Sequence, residues 1–175
     1  MADKFIDSQR PNGLPARGHE SSGVNPKLRT ITFETAVADA AADVNRLFTV
    51  GAHEIPVECK IINDAITGAT DIDLGLYRPS APDGSVTGAV VDADALLDGA
   101  NIAAGVAWAS ATNGLAALGV EEQGVRSFRE IANDVSADDA IGNIIKDSYD
   151  VALTLNSDIS TIGTITVLLW TIEQQ

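Results

Sequence analysis

The stretch Thr70-Asp71-Ile72-Asp73-Leu74-Gly75-Leu76-Tyr77 decides the fold class that this chain is expected to have. Apolar side chains alternate with carboxylates through it, with Ile72, Leu74 and Leu76 on one side and Asp71 and Asp73 on the other. Strict alternation over this length is typical of a β-strand that buries one face and leaves the other in solvent. The stretch therefore predicts a sheet that covers a core on one side only.

Patterns with the same period of two lie on both sides of this strand. They predict further strands over residues 28–34, 43–50, 54–63, 149–155 and 164–172. The last of these is rich in β-branched residues, which favour strands. Short strands separated by turn signals are typical of antiparallel sandwiches and barrels. We therefore expect a mostly β protein, an antiparallel β-sandwich or barrel of the jelly-roll kind.

The single cysteine lies inside one of these predicted strands. Cys59 shares the apolar side of residues 54–63 with Val57 and Ile61, so we expect its thiol to be buried and inert. Pro56 has no N–H to donate to a ladder and is expected at the start of the strand or on a sheet edge. One cysteine also excludes an internal disulfide and a CxxC metal or redox site.

Two segments interrupt the strand pattern. Residues 1–27 contain three prolines and three glycines with no helical or strand period, which predicts an extended N-terminal arm. The β-sandwich domain is then residues 28–175, with a small, partly helical insert at about 103–148. Local signals in and before the insert predict a loop over 78–92, a short helix over 94–102 that ends near Gly99, a helical turn over 128–133, and a helix over 137–145 capped by Ser136.

Length and net charge limit the number of domains and the kinds of partner that this chain can have. The chain has 175 residues, enough for one domain, and a net charge of −14. Residues 1–30 carry five basic and three acidic side chains, whereas the rest is strongly acidic. A nucleic-acid binder needs the opposite balance, so no nucleic acid is expected as a partner. A basic arm before an acidic body is typical of an interaction tail, although a solvated surface with a short leader explains it as well.

Neither export nor a membrane is indicated. The N-terminus has no apolar core of a secretory signal, and the apolar stretch near residues 162–172 is too short to cross a bilayer. We therefore expect synthesis in a cytoplasm and no membrane partner.

The residues that could carry chemistry are few. His19 and His53 lie far apart, and the chain has neither a G-x-S-x-G nor a P-loop motif. Asp71 and Asp73 are best explained as the solvent side of a strand. Asp92, Asp94 and Asp98 resemble a calcium loop only in part, and are better explained as acids near a helix start. No catalytic residue, metal site or cofactor is predicted.

Four segments together resemble a known family of proteins. They are residues 42–48 (ADVNRLF), residues 71–77 (DIDLGLY), residues 92–100 (DADALLDGA), and a closing hairpin with VALTL at 151–155 and GTITV at 163–167. In these patterns the chain resembles small tailed-phage virion structural proteins of the capsid decoration, or cement, type. The arm and the insert at 103–148 depart from the compact members of that family.

The resemblance implies a non-enzymatic protein on the outer capsid surface of a virion. It would bind the major capsid protein and stabilise the shell across subunit boundaries, with sister copies as a cyclic homo-oligomer, a trimer being favoured. A disordered arm orders on contact and covers a large surface. The strand at 29–34 is also suited to extend a neighbour's sheet. We expect partner contacts at Arg10, Pro11, Pro15, Arg17, Pro26, Lys27, Arg29 and Trp108.

Two other functions fit the same patterns. A β-sandwich associated with the tail, collar or fibre would share the fold and the acidic surface, but with few copies in each particle. A carbohydrate-binding adhesion module would need an exposed aromatic platform, for which Trp108, Trp170 and Tyr77 are the candidates. Trp170 is better explained by packing in the last strand.

Overall fold

The computed structural model describes residues 26–37, 39–79, 89–107, 112–113, 126–135 and 148–173. The predicted arm thus lies outside the described residues except for Pro26 and Lys27. Within the described residues the elements are β1 Lys27–Glu34, β2 Val44–Gly51, β3 Glu54–Asn63, β4 Ile72–Tyr77, β5 Val90–Ala100, β6 Thr112–Asn113, α1 Phe128–Val135, β7 Ser148–Leu155 and β8 Thr164–Glu173.

These strands form two antiparallel sheets that face each other. Sheet A has the order β1-β8-β3-β6, and sheet B has the order β2-β7-β4-β5. Every neighbouring pair is antiparallel. This strand order is that of the eight-stranded jelly roll, which closes two sheets over one core. The predicted antiparallel, jelly-roll-like sandwich is confirmed.

The core lies between the two sheets, where the period-two patterns place their apolar sides. Ile72, Leu74 and Leu76 of β4 are fully buried, and so are Val167 and Leu169 of β8. Each fully buried side chain of this size contributes about 1.5–3 kcal/mol relative to an exposed one. The alternation that the sequence shows is therefore what holds the sandwich together.

Strand β3 departs from its expected alternation at one residue. Its register against β8 shifts between Pro56 and Glu58, so that Val57 is an extra, bulged residue. Val57 is 54% exposed, whereas Cys59 is fully buried. The expectation that Val57 shares the apolar side is wrong, because a bulge turns one residue out of the pleat. The bulge also accommodates Pro56, which has no N–H for the ladder.

Strand β5 replaces an expected loop and an expected helix. Residues 94–102 were expected to be helical and 78–92 to be a loop, but the strand runs over Val90–Ala100 and pairs with β4. Both expectations fail for the residues of β5, and Asp92, Asp94 and Asp98 are strand residues rather than acids at a helix start. Ala and Leu favour a helix, but intrinsic propensity is a weak influence, and the open edge of β4 provides backbone partners that outweigh it.

The helix α1 begins at the predicted place and closes one end of the core. The Ser127 hydroxyl accepts a hydrogen bond from the Glu130 N–H (3.4 Å), and the Glu130 carboxylate accepts one from the Ser127 N–H (2.7 Å). This reciprocal pair is a capping box. Phe128 and Ala132 are fully buried in the core. The predicted helix over 137–145 and its cap at Ser136 lie outside the described residues.

Candidate assembly surface

The structure describes three of the eight residues that were expected to contact a partner. Arg10, Pro11, Pro15, Arg17 and Trp108 lie outside the described residues. Pro26 is exposed, directly before β1. Lys27 and Arg29 are the first charged residues of β1, and both side chains bind within the molecule. The described part of the arm is thus its attachment to the sandwich.

That attachment is an ionic cluster around Glu54. Arg29 binds the Glu54 carboxylate through both terminal nitrogens, at 2.8 Å each. The Thr171 hydroxyl donates to the same carboxylate at 2.6 Å, and the Gly51 N–H does so at 3.1 Å. Lys27 lies 3.3 Å from Glu54 and 3.3 Å from Glu173. The cluster joins β1, β3 and β8 at the point where the arm meets the domain.

The electrostatics of the cluster keep Glu54 ionised. Burial alone raises the pKa of this carboxyl, because its side chain is only 6% exposed. The hydrogen bonds from Arg29, Thr171 and Gly51 outweigh that effect and lower the pKa to about 2. Hydrogen bonding to Glu173, with the nearby Glu54 charge, raises the pKa of Lys27. Glu54 is therefore a charged anchor at the base of the arm.

Sequence reasoning did not find Glu54. The residue stands at the start of a predicted strand, where an acidic side chain is usually solvated. The available signal was the pair Lys27 and Arg29, two cations on the same side of the preceding strand. Such a pair needs an acidic partner if it points inward, but the partner's identity depends on sheet order, which the sequence alone does not give.

Strand β1 forms an edge of sheet A. Thr35, just beyond β1, donates its N–H to the Gly163 carbonyl opposite it at 2.9 Å. Hydrogen-bonded pairs alternate along an antiparallel ladder, so Arg29, Ile31 and Phe33 bond to β8 as Thr35 does. The N–H and C=O groups of the even-numbered residues point away from β8, to the edge. They belong to Leu28, Thr30, Thr32 and Glu34.

The outer face of sheet A is close to neutral. Residues opposite each other in the ladders share a face, and they form the rows Leu28–Trp170–Glu58, Thr30–Leu168–Lys60 and Thr32–Thr166–Ile62. Glu58 and Lys60 on this face form an ion pair at 2.7 Å, and Glu34 lies at its end, opposite Thr164. Leu28 is 54% exposed in the first row. A face with threonine, apolar side chains and a paired charge contrasts with the net charge of −14.

A groove of about 410 Å³ lies at the far end of the same face. Its lining comes from β3, β8 and the segment 105–107, and includes Ile62, Thr164, Thr166 and Asp64. The Asn63 amide donates to the carbonyls of Ile102 (2.7 Å) and Ala104 (3.3 Å), which holds that segment against β3. The groove has room for one side chain or a short extended segment.

The acidic residues that were considered for chemistry serve structural roles. The Asn156 amide donates to Asp71 at 3.1 Å and to Asp73 at 2.6 Å, and Asp73 also accepts the Gly99 N–H at 2.8 Å. These bonds tie β4 and the residue before it to β5 and to the turn that follows β7. Among the described residues, no group of three or more His, Cys, Asp or Glu side chains could hold a metal ion.

Cys59 is buried, as expected, whereas His53 lies on the surface. Burial, with a smaller effect of Glu58, raises the pKa of the Cys59 thiol to about 12, so the thiolate is not formed near neutral pH. His53 is exposed in the turn between β2 and β3. The one helix that the structure describes, α1, is not long and apolar enough to span a membrane.

The two described aromatic candidates for sugar binding lie in different sheets, Tyr77 in sheet B and Trp170 in sheet A. Tyr77 is 5% exposed, with the Arg46 guanidinium 5.5 Å from its ring centre and its hydroxyl bonded to Thr154. Trp170 is half-buried, and the Lys60 ammonium lies 6.0 Å from its ring centre. Each ring is thus already engaged by a cation. Trp108, the third candidate, lies outside the described residues.

Two solved structures share the fold of this chain. One is a chain in the capsid of Ralstonia phage GP4, with a TM-score of 0.55 and 15% identity over 87% of this chain and 85% of that chain. The other is a chain in the cyanophage Pam1 capsid asymmetric unit, with a TM-score of 0.52 and 16% identity over 92% and 93%. No protein-family model and no curated protein matches the sequence. At this identity the likeness establishes a shared fold.

Proposed function

We propose that this chain is a non-enzymatic structural protein of a tailed-phage virion that binds the outside of the capsid and stabilises it. The observation that carries the proposal is the fold: a jelly roll shared with chains of two phage capsids over at least 85% of each chain. A likeness over nearly the whole of both chains concerns the complete domain rather than one common motif.

The surface of the described residues supports a role in assembly rather than in catalysis. The chemical candidates are tied into the fold, as Cys59, Asp71 and Asp73 show. The near-neutral face of sheet A and the arm provide binding surface instead. An acidic body on the outside of a shell keeps particles apart through like-charge repulsion. The proposed partners are the major capsid protein and sister copies of this chain, for which the resemblance implies a trimer.

The arm has a defined role in this proposal. Residues 1–25 would lie across a neighbouring subunit of the shell, with contacts from Arg10, Pro11, Pro15 and Arg17. The base of the arm is fixed to the sandwich by Arg29 and Lys27 through Glu54. A segment that orders on binding covers a large area, and its fixed base transmits that contact to the domain.

The test is co-sedimentation with capsids of the virus that encodes the chain, stripped of this protein. The full chain is compared with a variant lacking residues 1–25, which keeps β1 and the Glu54 cluster, and with the double variant Arg10→Ala/Arg17→Ala. We expect the full chain to bind and to raise the melting temperature of the shell, and both variants to bind less.

The outcomes separate the alternatives. Equal binding by all three proteins would place the interface on the sandwich and remove the arm from the proposal. Absence of binding by the full chain would overturn the decoration role. Counting copies in each intact particle then distinguishes the tail, collar or fibre alternative, since such proteins occur in few copies whereas a protein that covers the shell occurs in many.

A further inference from the structure

The edges of the two sheets are not protected equally. An open strand edge invites pairing with another chain, and proteins guard such edges with charges, bulges or short strands. Strand β5 carries three aspartates and an irregular register, β2 has a register shift between Arg46 and Phe48, and β6 has two residues. Strand β1 pairs with β8 over eight consecutive residues without a shift. Among the described strands, β1 is the edge that lacks these protections along its centre.

The centre of β1 has unpaired backbone groups at the edge and apolar side chains that are only half-buried. Residues 30–33 carry no charge, and the N–H and C=O groups of Thr30 and Thr32 point to the edge. Ile31 and Phe33 face the core but stay half-buried, whereas Val167 and Ile165, their partners in β8, are fully buried. The apolar interior thus continues to the edge, where one more strand would complete its burial.

We propose that this strand belongs to a second copy of the chain: β1 pairs antiparallel with β1 of the partner copy about a two-fold axis at Ile31. Four residues of β1 have N–H and C=O groups that point to the edge, and this axis pairs all four of them. Thr30 lies opposite Thr32 of the partner subunit, and Leu28 lies opposite Glu34 of the partner subunit. The two copies of sheet A then form one continuous eight-stranded sheet. A strand that pairs with itself needs no complementary sequence elsewhere.

Charge favours a second copy at this edge over other contacts between copies. Two chains of net charge −14 repel each other, so they approach most easily through uncharged surface. At the axis, Ile31 meets Ile31 of the partner subunit, and Arg29 lies opposite Phe33 of the partner subunit, which suits a cation–π contact. A two-fold pair takes the place of the trimer that the resemblance implies. It does not depend on binding to a shell.

The test uses cysteine cross-linking, which is selective because Cys59 is fully buried. In the Ile31→Cys variant the new thiol lies opposite the equivalent thiol of the partner copy. The two positions form a non-hydrogen-bonded pair with Cα atoms about 4.5 Å apart, a distance that a disulfide can span. We expect mild oxidation to convert most of this variant to a covalent dimer. The matched control is Val57→Cys, an exposed thiol on the same sheet but away from the edge.

A second pair of variants checks the register and does not alter an inward side chain. Thr30→Cys and Thr32→Cys should each form no covalent dimer under oxidation, because neither new thiol has a thiol opposite it, and their mixture should cross-link. Thr30→Pro should abolish the dimer in sedimentation velocity without lowering the melting temperature, because the N–H it removes points to the edge.

Three outcomes would overturn the proposal. The first is equal cross-linking of the Val57→Cys control. The second is absence of cross-links both in the Ile31→Cys variant and in the Thr30→Cys/Thr32→Cys mixture. If cross-links then form only after residues 1–25 are deleted, the chain's own arm occupies the edge in place of a second copy. The third is cross-linking of β1 to the capsid protein alone. Shell binding is measured separately, so failure here leaves the decoration role standing.

Discussion

Glu54 illustrates how one residue couples the base of the arm to solution conditions. Its pKa is lowered from 4.5 to about 2 in the folded protein. A lowered carboxyl pKa stabilises the fold above the unfolded value and ceases to do so as the pH falls through the folded value. The contribution of Glu54 is therefore complete above pH 4.5 and is lost between pH 4.5 and about 2.

We expect the free energy of unfolding to fall by about 3 kcal/mol over this window, as the shift implies by linkage. The Glu54→Gln variant should be less stable near neutral pH and should lose this part of the pH dependence. Urea unfolding at a series of pH values measures both effects. Glu58→Gln is the control, since Glu58 pairs with Lys60 on the outer face. An unchanged pH profile in Glu54→Gln would contradict the account.

Gly75 is required by a close approach of two strands. A Cβ atom at this position would fall on the carbonyl oxygen of Asp92 and on the backbone of Ala93 in β5. Neither can move aside without breaking the pairing of β4 with β5. We expect Gly75→Ala to destabilise the protein by at least about 3 kcal/mol, at the upper end for overpacked sites. Thermal unfolding tests this, with Gly105→Ala as the control, because there the nearest atom, the Ala65 backbone nitrogen at 3.2 Å, has to yield by only a few tenths of an ångström. Equal losses in the two variants would be inconsistent with this reason.

At the scale of elements, β5 is the strand whose contribution is least evident from the sequence. Leu96 and Leu97 are buried at 0% and 1% exposure, although the strand is also rich in aspartate. Leu96→Ala leaves a cavity in the core, for which we expect a loss of about 2–5 kcal/mol. Val90→Ala, at the exposed start of the same strand, should change stability by less than about 0.5 kcal/mol. Chemical denaturation of both variants measures the difference, and a small loss in Leu96→Ala would place this residue outside the core.

Six of the eight described strands are predictable from local pattern. In β1, β2, β3, β4, β7 and β8, the period of two reflects one face in the core, which is a property of each segment by itself. The bulge at Val57 and strand β5 are not predictable in this way, because they depend on a partner strand. Asp94 is acceptable in a strand only because β4 provides the ladder. The sheet order, and with it the jelly roll, likewise depends on contacts distant in sequence.

The candidate surface was predictable only in part, for the same reason. Lys27 and Arg29 were expected to contact a partner, which stays a prediction, and within the molecule their side chains bind Glu54. The sequence shows that a basic side chain at a half-buried position needs an acidic partner, but it does not show whether that partner belongs to the same chain. The strand at 29–34 was expected to be suited to extend a neighbour's sheet. Its position at the edge of sheet A and its lack of protection follow only from the sheet order and from comparison with β2, β5 and β6.

At the scale of the whole molecule, net charge sets how readily copies associate. The chain carries −14, and long-range repulsion between two copies is screened by salt. We therefore expect the two-fold pair through β1 to strengthen as NaCl is raised from about 20 mM to about 500 mM, since its contacts include no ion pair between the copies. Sedimentation equilibrium measures the dissociation constant. Weakening with salt would mean that opposite charges hold the copies together. Thr30→Pro, monomeric at both salt concentrations, serves as the control.

The antiparallel ladder between β1 and β8 also determines how the domain responds to force. A pull on the chain at Pro26 along the strand axis loads the hydrogen bonds of this eight-pair ladder in shear, so they rupture together instead of opening one by one. The ion pair between Arg29 and Glu54 lies at the pulled end of β1 and opposes the first displacement of β1 along β8. A slip of one residue would turn Ile31 and Phe33 out of the core, which makes it costly. The domain is thereby a mechanical anchor that sustains tension delivered through its N-terminus.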